Sequence, residues 1–227
     1  SVMADIVLNH KNGADEQEKA PVIKVDYEDR NKIISEQLEK EINTKYYFPG
    51  RNKKYSEFVW DWHAFTGVDE CMDGDNKCIF KILNGYGDLW DDVVGDEYGN
   101  YDYLLGADIE FRNPNVTQEL KYWGKWFIET AGIDSFRLDA VKHISPKFYK
   151  EWLDYLNETF QKKFFTIAEY WNNDVKYLHE YLDVMEGRVQ LFDVPLHNNF
   201  YEASRQGKDF YLPGIFKNTL TGTRSQS

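Results

Sequence analysis

The sequence places an arginine and an aspartate at the end of a predicted strand, and this pair is the first candidate for chemistry. Residues 133–139 have the pattern of a buried strand, in which side chains alternate between two faces. Arg137 and Asp139 therefore share a face, and the cation keeps the carboxylate ionised. An ionised carboxylate at a strand end can act as a nucleophile. The alternative is a structural ion pair, the more common reason for an isolated Arg-x-Asp.

A second acid, Glu169, ends the next predicted strand and precedes Tyr170 and Trp171. Aromatic neighbours partly desolvate a carboxyl group, which favours its protonated form and lets it donate a proton. An ionised acid beside a protonated one is the arrangement used to cleave glycosidic bonds, in which one attacks carbon and the other protonates the leaving oxygen. Trp171 is a candidate platform for a sugar ring, and a core aromatic is the equally common alternative.

The elements that must position these acids alternate along the second half of the chain. Apolar spacing predicts helices at residues 116–130, 146–160, 174–185 and 198–204, and strands at residues 133–139, 164–169 and 189–194. Ser145 is expected to cap the second helix, and Asn173 or Asp174 the third. Residues 2–8 predict one further buried strand.

Strands separated by single helices predict a parallel sheet covered on both faces, hence a doubly wound sheet or a (β/α)8 barrel. In either fold the chemistry lies at the carboxyl ends of the strands. The polar residues expected at those ends are Asn9, His10, Asp139, Glu169 and Asp193.

Residues 11–106 have a different composition, rich in charge, glycine and aromatic residues and without regular alternation. We interpret them as an irregular, β-rich insertion. A short helix is predicted at residues 33–42, and strands at residues 58–65 and 77–82. The sequence leaves open whether Cys71 and Cys78 pair.

The net charge of -12 makes nucleic acid and anionic membranes poor partners, because phosphate would be repelled. It suits a neutral ligand, and acidic side chains are also what a hard cation needs. Aromatic residues form 17% of the chain, which suits sugar binding, although an aromatic core is the simpler explanation. No apolar run reaches transmembrane length. We expect a monomer.

Three segments carry a family resemblance. Residues 5–10, 136–143 and 168–171 resemble the first three signatures of glycoside hydrolase family 13, the α-amylase family, in the family's order and with a long insertion after the first. Residues 100–104 and 192–197 look like segments of bacterial liquefying-type members. Residues 111–113 and 202–205 look more like the cytoplasmic members of enteric bacteria.

The resemblance implies a retaining enzyme that cleaves internal α-1,4-glucosidic bonds of starch- or glycogen-type glucans or maltooligosaccharides. Asp139 would be the nucleophile and Glu169 the general acid and then base, with Arg137 holding Asp139 ionised. The residues implied to line the glucose subsites are His10, Arg137, Lys142, His143 and Trp171.

A calcium site is also implied by the resemblance, and it would join the insertion to the barrel. Its ligands would be Asn9, Asp102, Asp108 and the backbone carbonyl of His143, all oxygen donors. The alternative is that both aspartates only cap turns. Liquefying-type members often carry a further calcium–sodium–calcium cluster. Thr66 and Arg112 stand where that cluster uses aspartates, although Asp91 matches, so we expect one calcium.

The resemblance further implies that the chain is the central part of such an enzyme. We expect a partial (β/α)8 barrel of about strands 3–6, with strand 3 in residues 1–10, the inserted domain B in residues 11–106 and the barrel continuing over residues 107–227. The family's fourth signature, with a third catalytic aspartate, is expected beyond this chain. The chain alone should then be inactive. We expect a cytoplasmic location.

Three alternatives remain at this point. One is another family 13 enzyme that transfers sugars or acts at branch points, with the same two acids. Another is a glucan-binding remnant without catalysis. The third is a doubly wound binding protein, which predicts a glycine-rich phosphate loop that the sequence lacks.

Overall fold

The structure is a computed structural model that describes residues 1–71, 77–87 and 90–223. The strands of this part are β1 (Met3–Ile6), β2 (His10–Lys11), β3 (Glu16–Val25), β4 (Leu38–Lys45), β5 (Phe65–Val68), β6 (Ile79–Ile82), β7 (Ala107–Ile109), β8 (Ser135–Leu138), β9 (Phe165–Ala168) and β10 (Gln190–Leu191). The helices are α1 (Pro114–Ala131), α2 (Pro146–Phe160), α3 (Val175–Met185), α4 (Val194–Gln206) and α5 (Leu220–Thr223). Short 3-10 turns lie at Pro49–Arg51, Trp62–Ala64, Glu97–Gly99, Val141–His143, Gly207–Asp209 and Leu212–Gly214.

The parallel sheet has the order β1-β8-β9-β10 within the described residues, as the alternation of strands and helices predicts. Ile6 pairs with Leu138, and Leu138 pairs with Ala168, and none of the three is exposed to solvent. The ladder continues past the strand ends, where the amide of Asp139 donates to the carbonyl of Ile6 over 3.0 Å. The carboxyl ends of adjacent strands are therefore level, which brings the residues that follow them together.

Helices α1 and α2 pack against each other through a glycine and a tryptophan. Trp152 is fully buried, and its indole nitrogen donates to the carbonyl of Leu120 over 3.0 Å. A Cβ atom at Gly124 would lie 2.8 Å from the Trp152 ring, so only glycine allows this approach. At the start of α3 the cap is Asp174, whose carboxylate accepts from the amide of Lys176. Ser145 occupies the predicted N-cap position of α2, but its side chain makes no capping hydrogen bond.

The antiparallel sheet has the order β2-β7-β5-β6-β3-β4 within the described part of the chain. His10 in β2 pairs with Asp108 in β7, so the chain enters and leaves this sheet side by side. The strand predicted at residues 77–82 is confirmed as β6 (Ile79–Ile82).

Two predictions for the insertion are wrong. Residues 38–45 form the strand β4 rather than a helix, because Ile42 and Thr44 alternate with exposed neighbours while Ile33 and Ile34 are exposed. Residues 58–65 are mostly outside strands, since a 3-10 turn occupies Trp62–Ala64 and β5 begins only at Phe65.

The structure pairs Cys71 with Cys78 in a disulfide, with the two Cα atoms 5.6 Å apart. The bond joins the chain just after β5 to the chain just before β6, so it fastens two strands that are already hydrogen-bonded. Of the helices that the structure describes, none combines the length and the apolar character needed to cross a membrane.

Candidate active site

A single guanidinium holds the two candidate catalytic acids. Arg137 donates from Nη1 to Asp139 over 2.5 Å and from Nη2 to Glu169 over 2.7 Å. It also binds Asp5, its neighbour in the register of β1, over 2.8 Å. The side chains of Asp139 and Glu169 are about one quarter exposed, so a substrate can reach both. The sequence predicted the contact with Asp139, but not the contacts with Glu169 and Asp5.

The backbone after Asp139 takes a turn that fixes the second acid. Ala140 has a left-handed φ of 48°, which is unfavourable for a residue with a Cβ atom. Its amide points at the Glu169 carboxylate over 3.4 Å, and the amide of Val141 donates to the Glu169 carbonyl over 3.2 Å. A strained residue held in place by its surroundings is typical of functional sites.

The 3-10 turn that follows presents His143, which the structure holds in one orientation. Its Nδ1 lies 2.7 Å from the carbonyl of Tyr101, so Nδ1 carries the proton and Nε2 is an acceptor. The Tyr101 ring meets the imidazole edge-on at 4.2 Å. Burial lowers the pKa of His143 to about 4, so the ring is neutral at ordinary pH. Burial also lowers the pKa of His10.

Lys142 forms an ion pair with Glu97, a residue that the sequence analysis missed. The Lys142 ammonium also approaches the carbonyl of Trp171 over 3.4 Å, and the second oxygen of Glu97 accepts from Asn172 over 3.3 Å. Glu97 therefore links the loops that follow both catalytic acids. It lies in a region without periodic pattern or motif, so no sequence signal singled it out.

A cavity of about 570 Å³ opens beside these residues. Its walls are formed by Glu97, Tyr98, Tyr101, Lys142, Trp171, Asn172 and Asn173. The Trp171 side chain is 56% exposed and its ring centre lies 5.6 Å from that of His197. Such exposure excludes the core-aromatic interpretation of Trp171 and leaves a flat face open to a ligand.

Three of the four predicted metal ligands involve buried side chains near the start of the antiparallel sheet. Asn9, Asp102 and Asp108 are each 1% exposed. Asn9 donates from Nδ2 to one oxygen of Asp108 over 2.5 Å, and Thr66 donates to the other. Asn9 Oδ1 and Asp102 Oδ1 are buried without a hydrogen-bond partner among the described residues. Two orphaned oxygens of this kind are what a bound cation would satisfy.

Burial governs the electrostatics of this cluster. It raises the pKa of Asp102 to about 8, with the nearby Asp91 adding to the effect. The pKa of Asp108 is also raised well above its usual range, by burial first and by Asp102 second. Within the described residues, no three His, Cys, Asp or Glu side chains are grouped to hold a metal. The predicted set has only two acids, so it would depend on Asn9 and a carbonyl oxygen.

Arg112 supplies a cation next to this cluster. It donates to both oxygens of the fully buried Glu110 over 2.7 and 2.6 Å. Asn84 adds a hydrogen bond to Glu110 over 2.8 Å. The negative charge of Glu110 is therefore neutralised by a protein side chain rather than left for a metal ion.

Comparison with known proteins identifies the relatives of this chain. No family model matches it. The cytoplasmic alpha-amylase of Escherichia coli is 48% identical over 97% of this chain and 45% of its own length. The alpha-amylase of Geobacillus stearothermophilus is 45% identical over 96% of this chain and 40% of its own length. The structure of an alpha-amylase from Malbranchea cinnamomea overlays with a TM-score of 0.45 at 16% identity, over 88% of this chain and 31% of that one. The chain spans less than half of the length of these two curated relatives, and their agreement along almost all of it shows that it belongs to the α-amylase family, as part of a member.

Proposed function

We propose that the protein containing this chain hydrolyses internal α-1,4-glucosidic bonds of starch- or glycogen-type glucans, with retention of anomeric configuration. The observation that carries the proposal is the pair Asp139 and Glu169, which one guanidinium holds at the ends of adjacent strands. A retaining mechanism needs two carboxyl groups about 5 Å apart, one on each side of the scissile bond, and a shared arginine keeps them close. The names of the relatives support the same activity.

In the first step, Asp139 attacks the anomeric carbon while Glu169 gives its proton to the glycosidic oxygen. The bond from carbon to the leaving oxygen breaks, and the aglycone departs as an alcohol. A β-glycosyl ester on Asp139 remains. The positive charge of Arg137 lies against the carboxylate of the nucleophile.

In the second step, Glu169 takes a proton from water and the resulting hydroxide attacks the same carbon, releasing Asp139. Two inversions give net retention. For the first step Glu169 must carry a proton, and in this structure its carboxyl group accepts a hydrogen bond from Arg137.

Substrate is held by the residues around this pair. We assign glucose-binding roles to His10, Lys142, His143 and Trp171, in the cleft beside the 570 Å³ cavity. Neutral His143 can accept a hydrogen bond from a sugar hydroxyl at Nε2, since its Nδ1 donates to the carbonyl of Tyr101. The exposed Trp171 offers a flat face for a sugar ring.

The four parallel strands are proposed to be consecutive strands 3–6 of a (β/α)8 barrel, with the antiparallel sheet as domain B. Their order along the sheet follows their order in the chain, as neighbouring barrel strands do. The proposed boundaries remain residues 1–10, 11–106 and 107–227.

A single calcium ion is proposed at Asn9, Asp102, Asp108 and the carbonyl of His143. The two orphaned buried oxygens and the two buried acids support it, since calcium prefers oxygen ligands and neutralises such acids. When bound it would supply positive charge and join β2 and β7 to the turn that carries His143. Neither proposed catalytic acid is among these ligands, so the ion is not proposed to take part in bond cleavage.

The location is proposed to be cytoplasmic, because the Escherichia coli relative bears that word in its name. The Cys71–Cys78 disulfide is the feature against it, since such bonds are rare in reducing compartments. Fractionation of cells that produce the complete gene product decides between the two.

The activity is tested with the complete gene product that contains these 227 residues and, separately, with the 227-residue chain. Starch is the substrate, and NMR follows the anomeric configuration of the first products. We expect α-configured maltooligosaccharides from the complete product, none from the 227-residue chain, and a loss of at least 1000-fold in Asp139→Asn and Glu169→Gln. Asp134→Asn, an exposed acid beside the opposite end of β8, is the matched control and should retain activity.

Three results would contradict the proposal. New linkages in place of hydrolysis products would identify a transglycosidase or branch-point enzyme. Glucan binding without cleavage would identify a binding protein. β-Configured first products would identify an inverting mechanism.

A further inference from the structure

A second cavity, of about 370 Å³, lies between α1 and the antiparallel sheet and contains none of the proposed catalytic residues. Six aromatic residues line it, namely Phe48, Tyr55, Trp60, Tyr122, Trp123 and Trp126. Its charged lining consists of two cations, Lys11 and Arg51, and one acid, Glu119. An aromatic cavity with a local excess of positive charge is unusual in a chain whose net charge is -12.

The Arg51 guanidinium is the polar group that this cavity leaves unsatisfied. Its Nε and Nη2 atoms are buried and have no hydrogen-bond partner among the described residues. Its central carbon lies 4.1 Å from the ring centre of Phe48, so one flat face is occupied while the edge that carries the donors is not. A buried cationic donor without an acceptor is costly, and an anion at that edge would remove the cost.

Lys11 is the second cation of this cavity. Its ammonium group contacts ring faces, at 4.2 Å from the centre of Trp60 and 5.6 Å from that of Phe48. In the described part of the chain, no carboxylate lies within 4.0 Å of either cation, although Glu119 lines the same space. Two cations converge on one cavity without a counter-charge in contact.

We propose that this cavity is a binding site for a small oxyanion, a carboxylate or phosphate monoester, that is carried on a ring. Arg51 and Lys11 bind the oxyanion, because a guanidinium edge matches two oxygens of a carboxylate or phosphate. The aromatic walls take the ring, which stacks on their faces. The volume lies in the range of small-molecule sites. A sugar phosphate combines both features.

The test uses the complete gene product and three probes at constant ionic strength: glucose 6-phosphate, inorganic phosphate and glucose. Tryptophan fluorescence reports on the cavity, which three indole rings line, and calorimetry gives the affinity. We expect glucose 6-phosphate to bind more tightly than inorganic phosphate, and glucose to leave the cavity's fluorescence unchanged. Arg51→Met and Lys11→Met should each weaken glucose 6-phosphate at least tenfold. Lys53→Met, an exposed neighbour, is the matched control and should bind normally.

Arg51→Lys keeps the positive charge but loses the guanidinium edge that can donate to two oxygens. This variant tests the proposal if Arg51→Met fails to fold. A weakening of glucose 6-phosphate in Arg51→Lys supports the proposal. Unchanged affinity in the Arg51 and Lys11 variants overturns it. It is also overturned if the wild type binds neither glucose 6-phosphate nor inorganic phosphate.

Discussion

The parallel and antiparallel sheets are both well buried, but their sequences reveal them to different degrees. In the parallel part, β8 and β9 are separated by a single amphipathic helix, so the spacing of apolar residues predicts the elements. In the antiparallel part, strands of two to ten residues alternate with turns and isolated bridges, and the same spacing rules fail. The two proposed catalytic acids come from the first part, whereas Glu97 and Asp102 come from the second. The region without a regular sequence pattern therefore also contributes residues to the candidate sites.

The largest expected effect tests whether the irregular region is packed as firmly as the regular one. Phe136 in β8 and Phe65 in β5 are both buried, and each contacts two aromatic rings within 6 Å. Phe136→Ala and Phe65→Ala should each lower the free energy of unfolding by about 3–5 kcal/mol, from lost burial and the cavity left behind. Urea denaturation measures both. A loss below about 1 kcal/mol for Phe65→Ala alone would show that the antiparallel region is loosely packed.

The next effect concerns the arginine that joins the two acids. Arg137→Met in the complete gene product should lower kcat on starch about 100- to 1000-fold, because Asp139 and Glu169 lose their shared positive charge. Arg188 also binds two acids, Asp154 and Glu186, but at the surface. Arg188→Met should leave kcat unchanged. Equal losses in the two variants would mean that Arg137 supports folding rather than catalysis.

The sequence predicted which residues lie together at the candidate site better than it predicted the contacts between them. The positions of Asp139 and Glu169 after adjacent strands follow from the alternation of strands and helices, and the structure confirms the four parallel strands. The sequence did not predict that Arg137 binds Glu169. That contact depends on the register of β8 and β9, which no local pattern encodes. Glu97 was missed for a related reason: its partner Lys142 lies 45 positions away. The strand β4 was mistaken for a helix because charged residues dominate it and only Ile42 and Thr44 reveal the period of two.

The third effect separates a calcium site from two buried acids that have only a structural role. Without metal, burial raises the pKa of Asp102 to about 8, so the folded protein holds a proton that the unfolded chain has lost above about pH 4. Stability of the calcium-free protein should therefore fall as pH rises from about 4 to 8, by at most about 1.4 kcal/mol per pH unit for one such group. Calcium should remove this fall, because the ion stabilises the ionised acids.

Thermal unfolding with EDTA and with excess calcium, at pH 6 and pH 8, measures the difference. The variant Asp108→Asn should lose the calcium response, whereas Asp209→Asn, at an exposed acid elsewhere, should keep it. A melting temperature that is independent of calcium at both values of pH would leave the two acids as structural residues. Two or more tightly bound calcium ions would contradict the expectation of a single site.

The smallest effect tests the contact of Glu97 with Lys142, through which the irregular region reaches the candidate active site. Glu97→Gln keeps the shape of the side chain but removes the charge that pairs with Lys142, while the hydrogen bond from Asn172 can persist. A hydrogen bond between charged groups contributes about 1.5–3 kcal/mol, so KM for maltooligosaccharides should rise about tenfold, with a smaller change in kcat. Glu28→Gln, an exposed acid in the same region, is the control. If kcat falls as far as in Arg137→Met while KM is unchanged, Glu97 acts on the reacting bond. If neither KM nor kcat changes, Glu97 does not contribute to substrate binding or catalysis. The parallel and antiparallel parts then differ in their packing and not in a contribution of Glu97 to function.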